Sequence, residues 1–574
     1  MSPYKFHAQD RNYTEYSISD ATTMEVFDIS LTYIDELIEK SLFNGDIFEA
    51  IQTTDKGLVE INILHSCIRN VDSIPGVLVL EGNKTYGRKG KKFLYKCIPD
   101  DRRLPVFLVP YETRSGFSKV QINSYVTFKY KQWDNKHPQG NIANVLGNVS
   151  ELDNFYEYQL YCKSLNASIQ GFNRATSQAL KNRTHDEFIE TIWSKYPNIE
   201  DRTHHSNIFT IDSKTTCDFD DAISIQYTND NTSYVLSVYI ANVSIWLETL
   251  NLWKSFSKRI STIYLPDRKR PMLPTVLSDC LCSLQQNQTR FAFVMDLYVT
   301  DNEIQDVKFK NVAVKISKNY IYEEDALMKL KPYQQMLSNI QSLSKKHRFV
   351  SNVRNSYDVV TFMMICMNNQ AAKTMNNYGN GIYRSATFTP NVQLPDDLPD
   401  NVYKFMNMWN NFSGQYCLNK PSEHKLLDLD SYLHITSPIR RLVDLLNMIQ
   451  LQINLNIISF SDDVSEFYRN WISQIDYINT TMRAIRKVQS DCELLNLITH
   501  DTTMLDQVFE GYMFDKIIRN DGLYQYIVYL PELKMISRIT SRVDKNNYEK
   551  ANFKLYLFKQ EERLKQKIRL QLYT

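Results

Sequence analysis

Apolar and polar positions alternate over short runs at both ends of the chain, while a helical period governs much of the middle. Residues 1 to about 165 carry Val77-Leu78-Val79-Leu80, Val106-Phe107-Leu108-Val109 and Tyr125-Val126-Thr127-Phe128 between turn residues. Such runs predict small β-barrels. Strand-like and helical segments mix from about 185 to 300, and helix prevails from about 320 to 500. There Phe467, Trp471, Ile475, Ile478, Met482, Ile485, Val488, Cys492 and Leu495 fall three or four apart, behind Ser461, Asp462 and Asp463 as capping residues. That stripe predicts core packing without chemistry. From about 505, Phe509-Glu510-Gly511-Tyr512, Tyr526-Ile527-Val528-Tyr529-Leu530 and Phe553-Lys554-Leu555-Tyr556-Leu557-Phe558 alternate again. This tail predicts another small barrel, either an RNA-binding OB fold or an inert structural one.

The 574 residues provide for about four domains at ~150 residues each. A net charge of +1, from 66 basic and 65 acidic residues, argues against a histone-like binder but allows a basic channel beside an acidic site. None of the nine cysteines has metal-finger spacing, and Cys280-Leu281-Cys282 is too tight and lacks a second pair. Reduced thiols, no apolar leader at Met1-Ser2-Pro3-Tyr4-Lys5 and no run near the ~18 apolar residues of a membrane span predict a soluble protein. The expected location is cytoplasmic, with a nuclear one left open and no membrane partner.

The chemistry concentrates in 212–221. Asp212, Asp218, Asp220 and Asp221 lie between the strand-like runs Asn207-Ile208-Phe209-Thr210-Ile211 and Ala222-Ile223-Ser224-Ile225, and a turn at Asn229-Asp230-Asn231 follows. Crowded carboxylates raise one another's pKa and repel unless a cation neutralises them. Hard oxygen ligands suit Mg²⁺ or Mn²⁺, ions that commonly act on phosphates. A solvated acidic turn is the plainer alternative, whereas an EF-hand loop is excluded because Lys214 and Cys217 interrupt the ligand spacing and no Gly is present.

A second constellation is Thr436-Ser437-Pro438-Ile439-Arg440-Arg441. Thr436 or Ser437 capping a helix opened by Pro438 would put both arginines in its first turn, where free N–H groups and a forked guanidinium suit a phosphodiester. An Arg paired with Asp444 across one helical turn explains the same residues structurally. Lys84-Thr85-Tyr86-Gly87-Arg88-Lys89-Gly90-Lys91-Lys92, leading to Phe93 and Tyr95, reads equally as a single-strand binding surface or a solvated basic hairpin.

A third segment carries Tyr264-Leu265-Pro266, Pro271-Met272-Leu273-Pro274 and Leu277-Ser278-Asp279-Cys280-Leu281-Cys282-Ser283-Leu284. In order with the acidic cluster and the T-S-P-I-R-R element, it resembles the RNase II/RNase R (RNB) family of 3′-to-5′ exoribonucleases. Ile98-Pro99-Asp100-Asp101-Arg102-Arg103-Leu104-Pro105, Trp133, Pro138-Gln139-Gly140 and Val145-Leu146-Gly147 resemble the second cold-shock-type barrel of the branch containing the exosome's hydrolytic subunit. Gly379-Asn380-Gly381-Ile382-Tyr383-Arg384 resembles an element of the nuclease domain.

The resemblance covers residues from about 75 onward and implies an α+β multidomain fold without that subunit's N-terminal endonuclease domain. The expected division is an N-terminal region with a cold-shock-like barrel at 1–105, a second such barrel at 106–170, a mixed α/β RNB catalytic domain at 185–500 and a C-terminal OB-fold barrel at 505–574. The implied activity is processive hydrolysis of single-stranded RNA to nucleoside 5′-monophosphates with two Mg²⁺ ions, Mn²⁺ being a substitute. Asp220 is the implied catalytic centre, with Asp212, Asp218 and Asp221 as the other metal ligands and Arg440 on the phosphate. Tyr264, Arg440, Arg441, Tyr383 and Arg384 are the implied RNA contacts. The protein is expected to act as a monomer, with an RNA-decay assembly as a further partner.

Three departures from the family pattern stand out. Tyr239-Ile240-Ala241-Asn242-Val243 carries an amide where relatives have a carboxylate, Thr361 or Phe362 stands where they have Glu, and Gln489-Ser490-Asp491 replaces an A-E-R-like element. A catalytically weak or inactive RNA-binding protein on the same scaffold is therefore the alternative.

Overall fold

The computed structural model describes residues 3–27, 42–52, 59–112, 121–228, 233–346, 353–385, 394–395, 397–410, 415–419, 429–560 and 565–573. The expected turn at Asn229-Asp230-Asn231 lies outside them. The chain divides into two compact units, one formed by 1–166, 265–267 and 488–574 and the other by 167–264 and 268–487. Among the described residues no helix is long and apolar enough to cross a membrane.

The first unit holds three sheets. Strands β1 (Tyr4–Ala8), β2 (Tyr16–Asp20), β3 (Val26–Phe27), β4 (Ile47–Gln52) and β5 (Val59–His65) run in the order β3-β2-β1-β4-β5. The second sheet comprises β6 (Ile74–Leu78), β7 (Arg88–Lys89), β8 (Lys92–Pro99), β9 (Phe107–Tyr111), β10 (Ser124–Gln132) and β11 (Gln139–Asn148). Its order is β6-β10-β11-β9-β8-β7, and β6 also pairs with β8, which closes a barrel. The backbones crowd where it closes: a Cβ on Gly76 would meet the Ile98 carbonyl at 2.9 Å, and one on Gly140 the Lys129 carbonyl at 2.8 Å. The expected division at 105 falls between β8 and β9, which pair from Phe93↔Tyr111 to Cys97↔Phe107. One barrel therefore spans this boundary, because Ile74 and Leu78 belong to the same buried interior as Phe107 and Val126.

Helix α1 (Leu152–Cys162) follows that barrel. In the tail, β23 (Phe509–Ile518), β24 (Tyr524–Leu530), β25 (Met535–Ser541), β26 (Lys550–Gln560) and β27 (Lys565–Leu572) form a sheet in the order β25-β24-β23-β26-β27. Phe509, Met513, Tyr526, Val528, Phe553 and Leu555 fill its inner face.

The second unit opens with α2 (Gln170–Ala179) and α3 (His185–Lys195) and is built on a seven-stranded sheet. Its strands are β12 (Glu200–Arg202), β13 (Phe209–Asp212), β14 (Asp221–Tyr227), β15 (Ser233–Ala241), β18 (Thr289–Thr300), β19 (Glu303–Lys315) and β20 (Lys318–Ile321), in the order β12-β19-β18-β15-β14-β13-β20. Helix α4 (Val243–Thr249) follows β15, and a short ribbon, β16 (Ile263–Tyr264) with β17 (Lys269–Arg270), precedes β18. Beyond the sheet come α5 (Asp325–Met328), α6 (Lys331–Ser344), α7 (Ser356–Asn377), β21 (Ile382–Ser385), α8 (Asp400–Asn410), β22 (Gln415–Leu418), α9 (Leu442–Asn454), α10 (Asp462–Ile472) and α11 (Ile475–His500).

One face of the sheet packs Phe209, Ile211, Ile223, Val238 and Met295 against Met363, Met367 and Ala371 of α7 and Met448 of α9. Two methionines and an alanine on one helical face let that helix approach the sheet closely, since Met adapts to irregular gaps. The helical stripe at 467–495 belongs to two helices, interrupted at 473–474. Ser461 does stand at the start of α10, but its hydroxyl goes to Glu248 at 2.9 Å instead of capping the helix.

Candidate active site

Strands β13 and β14 pair antiparallel at Phe209↔Ile223, so Asp212 ends one strand and Asp221 begins its neighbour. The loop between them is held from behind by the L-C-S-L segment. The buried Ser283 hydroxyl accepts the Phe219 N–H at 3.0 Å and donates to the Cys217 carbonyl at 2.9 Å. The Leu284 N–H donates to the Phe219 carbonyl and the Ala241 N–H to that of Asp220. A loop of carboxylates that would otherwise splay into water is thereby fixed against the sheet.

The arginine element arrives from the other side. The Ile439 N–H donates to Asp220 Oδ1 at 2.9 Å and Arg440 Nε to Oδ2 at 3.0 Å. Thr262 N–H and Ser261 hydroxyl both donate to the Arg440 carbonyl at 2.9 Å, which seats the turn on 260–262. The three sequence motifs thus meet at one place.

The expected helix opening at Pro438 is corrected by this geometry. The Arg440 and Arg441 N–H groups close a turn on the Ser437 carbonyl, and α9 begins only at Leu442. Asp444 reaches back to the Ser437 N–H and to Arg441 Nη2, both at 2.8 Å, and so stabilises the turn instead of a longer helix. Arg441 is therefore the arginine paired with Asp444, with 22% of its side chain exposed, while Arg440 leaves 44% of its side chain exposed.

Tyr264 is 42% exposed and donates its hydroxyl to Asp218 Oδ2 at 3.3 Å, which leaves a ring face beside the cluster. Tyr383 is different. It is fully buried in the core beneath the sheet, with its hydroxyl on the Asn380 carbonyl, so its expected role as an RNA contact does not hold. Arg384 is half-buried, with its guanidinium 5.6 Å from the Tyr416 ring. The amide at 242 is well used. Asn242 donates to Asn311 at 2.9 Å and accepts from the Ser244 hydroxyl and Ile245 N–H, a buried network that needs the amide's donor.

The electrostatics favour a cation. Burial raises Asp212 to about 6 against the relief from a Thr210 hydrogen bond and from Arg440, with Asp218 adding to the rise. Burial raises Asp220 to about 7 against the relief from Arg440, with Asp218 and Asp444 adding to the rise. Asp221 is pushed far above the usual carboxylate range by burial and by Asp212 and Asp220. The buried Asp212 Oδ2 has no hydrogen-bond partner. These residues fit a hard divalent ion. Among the described residues no group of three or more His, Cys, Asp or Glu could hold a metal by itself. That is how Mg²⁺ usually binds, through one or two carboxylates with water and substrate phosphate completing the shell.

Two neighbours of the cluster escape a reading by motif. Lys269, opposite Tyr264 on the β16–β17 ribbon, bonds Asp218 and Asp279. Tyr322, whose N–H donates to the Asp212 carbonyl, stacks on Tyr357 at 3.9 Å. A lone lysine or tyrosine in a loop carries no spacing signal, so only the fold reveals them.

Comparison with known proteins agrees with the geometry. Residues 200–363 match the RNB domain model. Ribonuclease R of Chlamydia pneumoniae is 35% identical over 162 residues, 27% of this chain and 23% of that protein. The chain thus spans about a quarter of the length of that relative, and 35% of the ribonuclease R of Aquifex aeolicus, to which it is 29% identical over 272 residues. Mycoplasma genitalium RNase R, solved with ribose-methylated single-stranded RNA, has the same fold at a TM-score of 0.67 and 16% identity, covering 99% of this chain and 100% of that one. Joined to the three motifs and the sheet that assembles them, the match shows that residues 200–363 carry an RNB domain.

Proposed function

We propose that this chain is a hydrolytic 3′-to-5′ exoribonuclease that degrades single-stranded RNA processively to nucleoside 5′-monophosphates with Mg²⁺. The observation that carries the reading is the cluster of buried Asp220 with half-buried Asp212 and Asp221, mutually repelling and faced by a half-exposed arginine. Such a site is costly without a cation and serves phosphodiester chemistry with one. An ion held there, Mg²⁺ or Mn²⁺, would lower the pKa of a bound water and neutralise charge at the leaving 3′ oxygen, for which the family resemblance implies two ions. Asp212 and Asp221 are the least compensated holders, with Asp218 and Asp220 beside them.

The chain's own groups divide the remaining work. Arg440, braced by Asp220 and by Ser437 at 3.0 Å, presents its guanidinium to the scissile phosphate. The exposed face of Tyr264 stacks on the terminal base, which is tolerant of sequence because every base has a π-face. Asp220, held by a backbone N–H and a guanidinium, orients the attacking water as a general base. The turnover occurs without any covalent intermediate.

The test is a 5′-labelled unstructured RNA and its DNA twin, incubated with Mg²⁺ or EDTA and with wild type or Asp220→Asn. Mg²⁺-dependent conversion of the RNA alone to a very short end product, absent in the variant, is expected. RNA bound but uncut by wild type would instead establish a non-catalytic RNA-binding protein on this scaffold. A solved structure of yeast Ssd1, a pseudonuclease, shares the fold at a TM-score of 0.56 and 13% identity.

A further inference from the structure

The four aspartates differ in what already neutralises them. Asp220 has Arg440 and a backbone N–H. Asp218 has a different cation: the Lys269 ammonium lies 3.2 Å from its Oδ1, and the Tyr264 hydroxyl donates to Oδ2 at 3.3 Å. The same ammonium lies 2.8 Å from Asp279 Oδ1. The lysine side chain is 26% exposed, and the carboxylates of Asp218 and Asp279 are 8% and 19% exposed, so this is not a loose surface pair.

Its anchor is itself fixed. The Ser278 hydroxyl donates to Asp279 Oδ1 and Gln285 to the Asp279 carbonyl, each at 2.6 Å. Tyr264 and Lys269 face one another across β16 and β17, so ring and ammonium reach Asp218 from one ribbon. Asp212, by contrast, keeps an oxygen without a partner, and the relieving charge on Asp221 is that of Arg440.

We infer that Lys269 stands in for one divalent cation, so that a single Mg²⁺ or Mn²⁺ ion binds at Asp212 and Asp221 while the ammonium neutralises Asp218. The inference rests on the exoribonuclease reading and deepens it. An ammonium is a compact charge with three donors, enough to hold two carboxylates and still meet a phosphate oxygen. It supplies charge and hydrogen bonds but does not acidify water, so Lys269 serves the leaving oxygen and acts as a positioning residue for Asp218.

Equilibrium dialysis of the full chain against Mn²⁺, with bound ribose-methylated RNA, counts the ions. Wild type and Lys269→Arg are expected to hold one ion that Asp212→Asn loses, and Lys269→Gln two. The Mg²⁺ activation curve should steepen from first order in wild type to second order in Lys269→Gln, with turnover at low Mg²⁺ falling at least tenfold. Two ions in wild type, or one in a folded Lys269→Gln, would overturn the inference and leave the exoribonuclease reading standing. The expected counts without any cleavage by wild type would uphold the charge replacement and overturn the reaction. Should Lys269→Gln fail to fold, the wild-type count alone decides.

Discussion

The second unit holds two buried aspartates each paired with an arginine, and they serve opposite ends. Asp296 on β18 takes Arg202 in a fork, at 2.9 and 2.7 Å, and also the Ser237 hydroxyl at 2.7 Å. The guanidinium continues to Glu200, whose other oxygen takes Lys310 at 2.8 Å. Burial alone would raise Glu200, but the hydrogen bonds and charges of Arg202 and Lys310 bring it down to about 2. Asp220 is as deeply buried, 3% exposed against 1% for Asp296, yet its arginine grips only one oxygen and its neighbours are other carboxylates. A buried ion pair with every acceptor filled gives rigidity; the same pair set among uncompensated like charges gives a site waiting for a cation.

Removing one charge from each pair should separate their roles most strongly. Asp220→Asn keeps an acceptor for Ile439 but loses the anion, and turnover should fall on the order of 10⁴-fold or more. RNA affinity should hold or tighten, because repulsion at the phosphate falls. Single-turnover degradation and filter binding check both. The metal-free fold should be no less stable than wild type, since a poorly compensated charge has gone. Arg202→Met should do the reverse, costing ~3–5 kcal/mol of stability by stranding Asp296 in the interior while leaving turnover per folded molecule unchanged. Denaturant titration of the two variants decides the matter. Asp220→Asn proving the more destabilising would mean that the two pairs are alike.

Removing the metal sharpens the contrast further. Asp212 and Asp220 bind protons more tightly in the fold than in the unfolded chain, because their carboxyls are raised to about 6 and about 7. Between about pH 4 and pH 7 the unfolded chain has released these protons and the metal-free fold still holds them. Metal-free stability contributed by these groups is therefore present at low pH and lost as pH rises through the folded values, by on the order of a few kcal/mol. Mg²⁺ binds the ionised form, so it should raise the melting temperature more at pH 8 than at pH 6. Equal Mg²⁺ effects at both pH values would show that the carboxylates are not its site.

What the sequence showed and what it hid follow from locality. The acidic loop, the arginine element and the strand-like flanks were legible because short range alone brings their residues together; alternation and period marked the barrels and the helical stretch, and the resemblance supplied the fold class. The start of α9 was misplaced because Pro438 and Ser437 suit a turn as well as a helix opening, and only Asp444 folding back on the Ser437 N–H chooses between them. The division at 105 failed because β6 pairs with β10, from Leu78↔Ser124 to Ile74↔Phe128, a pairing across the boundary that no local pattern encodes. Tyr383 looked like a ligand contact by resemblance, yet burial makes it part of the core. Lys269 was silent in the sequence because its meaning depends on two carboxylates that the ribbon brings to it.

The smallest effect tests whether exposure marks function, using two tyrosines of this same unit. Tyr239 is buried, 1% exposed, with its hydroxyl on Ser224 at 3.0 Å and its ring 5.9 Å from the Arg202 guanidinium. Tyr239→Phe should cost ~1 kcal/mol of stability, the net worth of one hydrogen bond, and leave RNA handling untouched. Tyr264, 42% exposed beside Asp218, should behave the other way. Tyr264→Ala should weaken capture of the RNA 3′ end by ~1–3 kcal/mol, the worth of one stacked base, with little change in melting temperature. Tyr264→Phe separates ring from hydroxyl: near-wild-type binding assigns the effect to stacking, whereas a loss equal to that of Tyr264→Ala assigns it to the bond with Asp218. Fluorescence anisotropy with a short labelled RNA resolves the difference, since the Ala and Phe variants should stand about 5- to 150-fold apart in Kd.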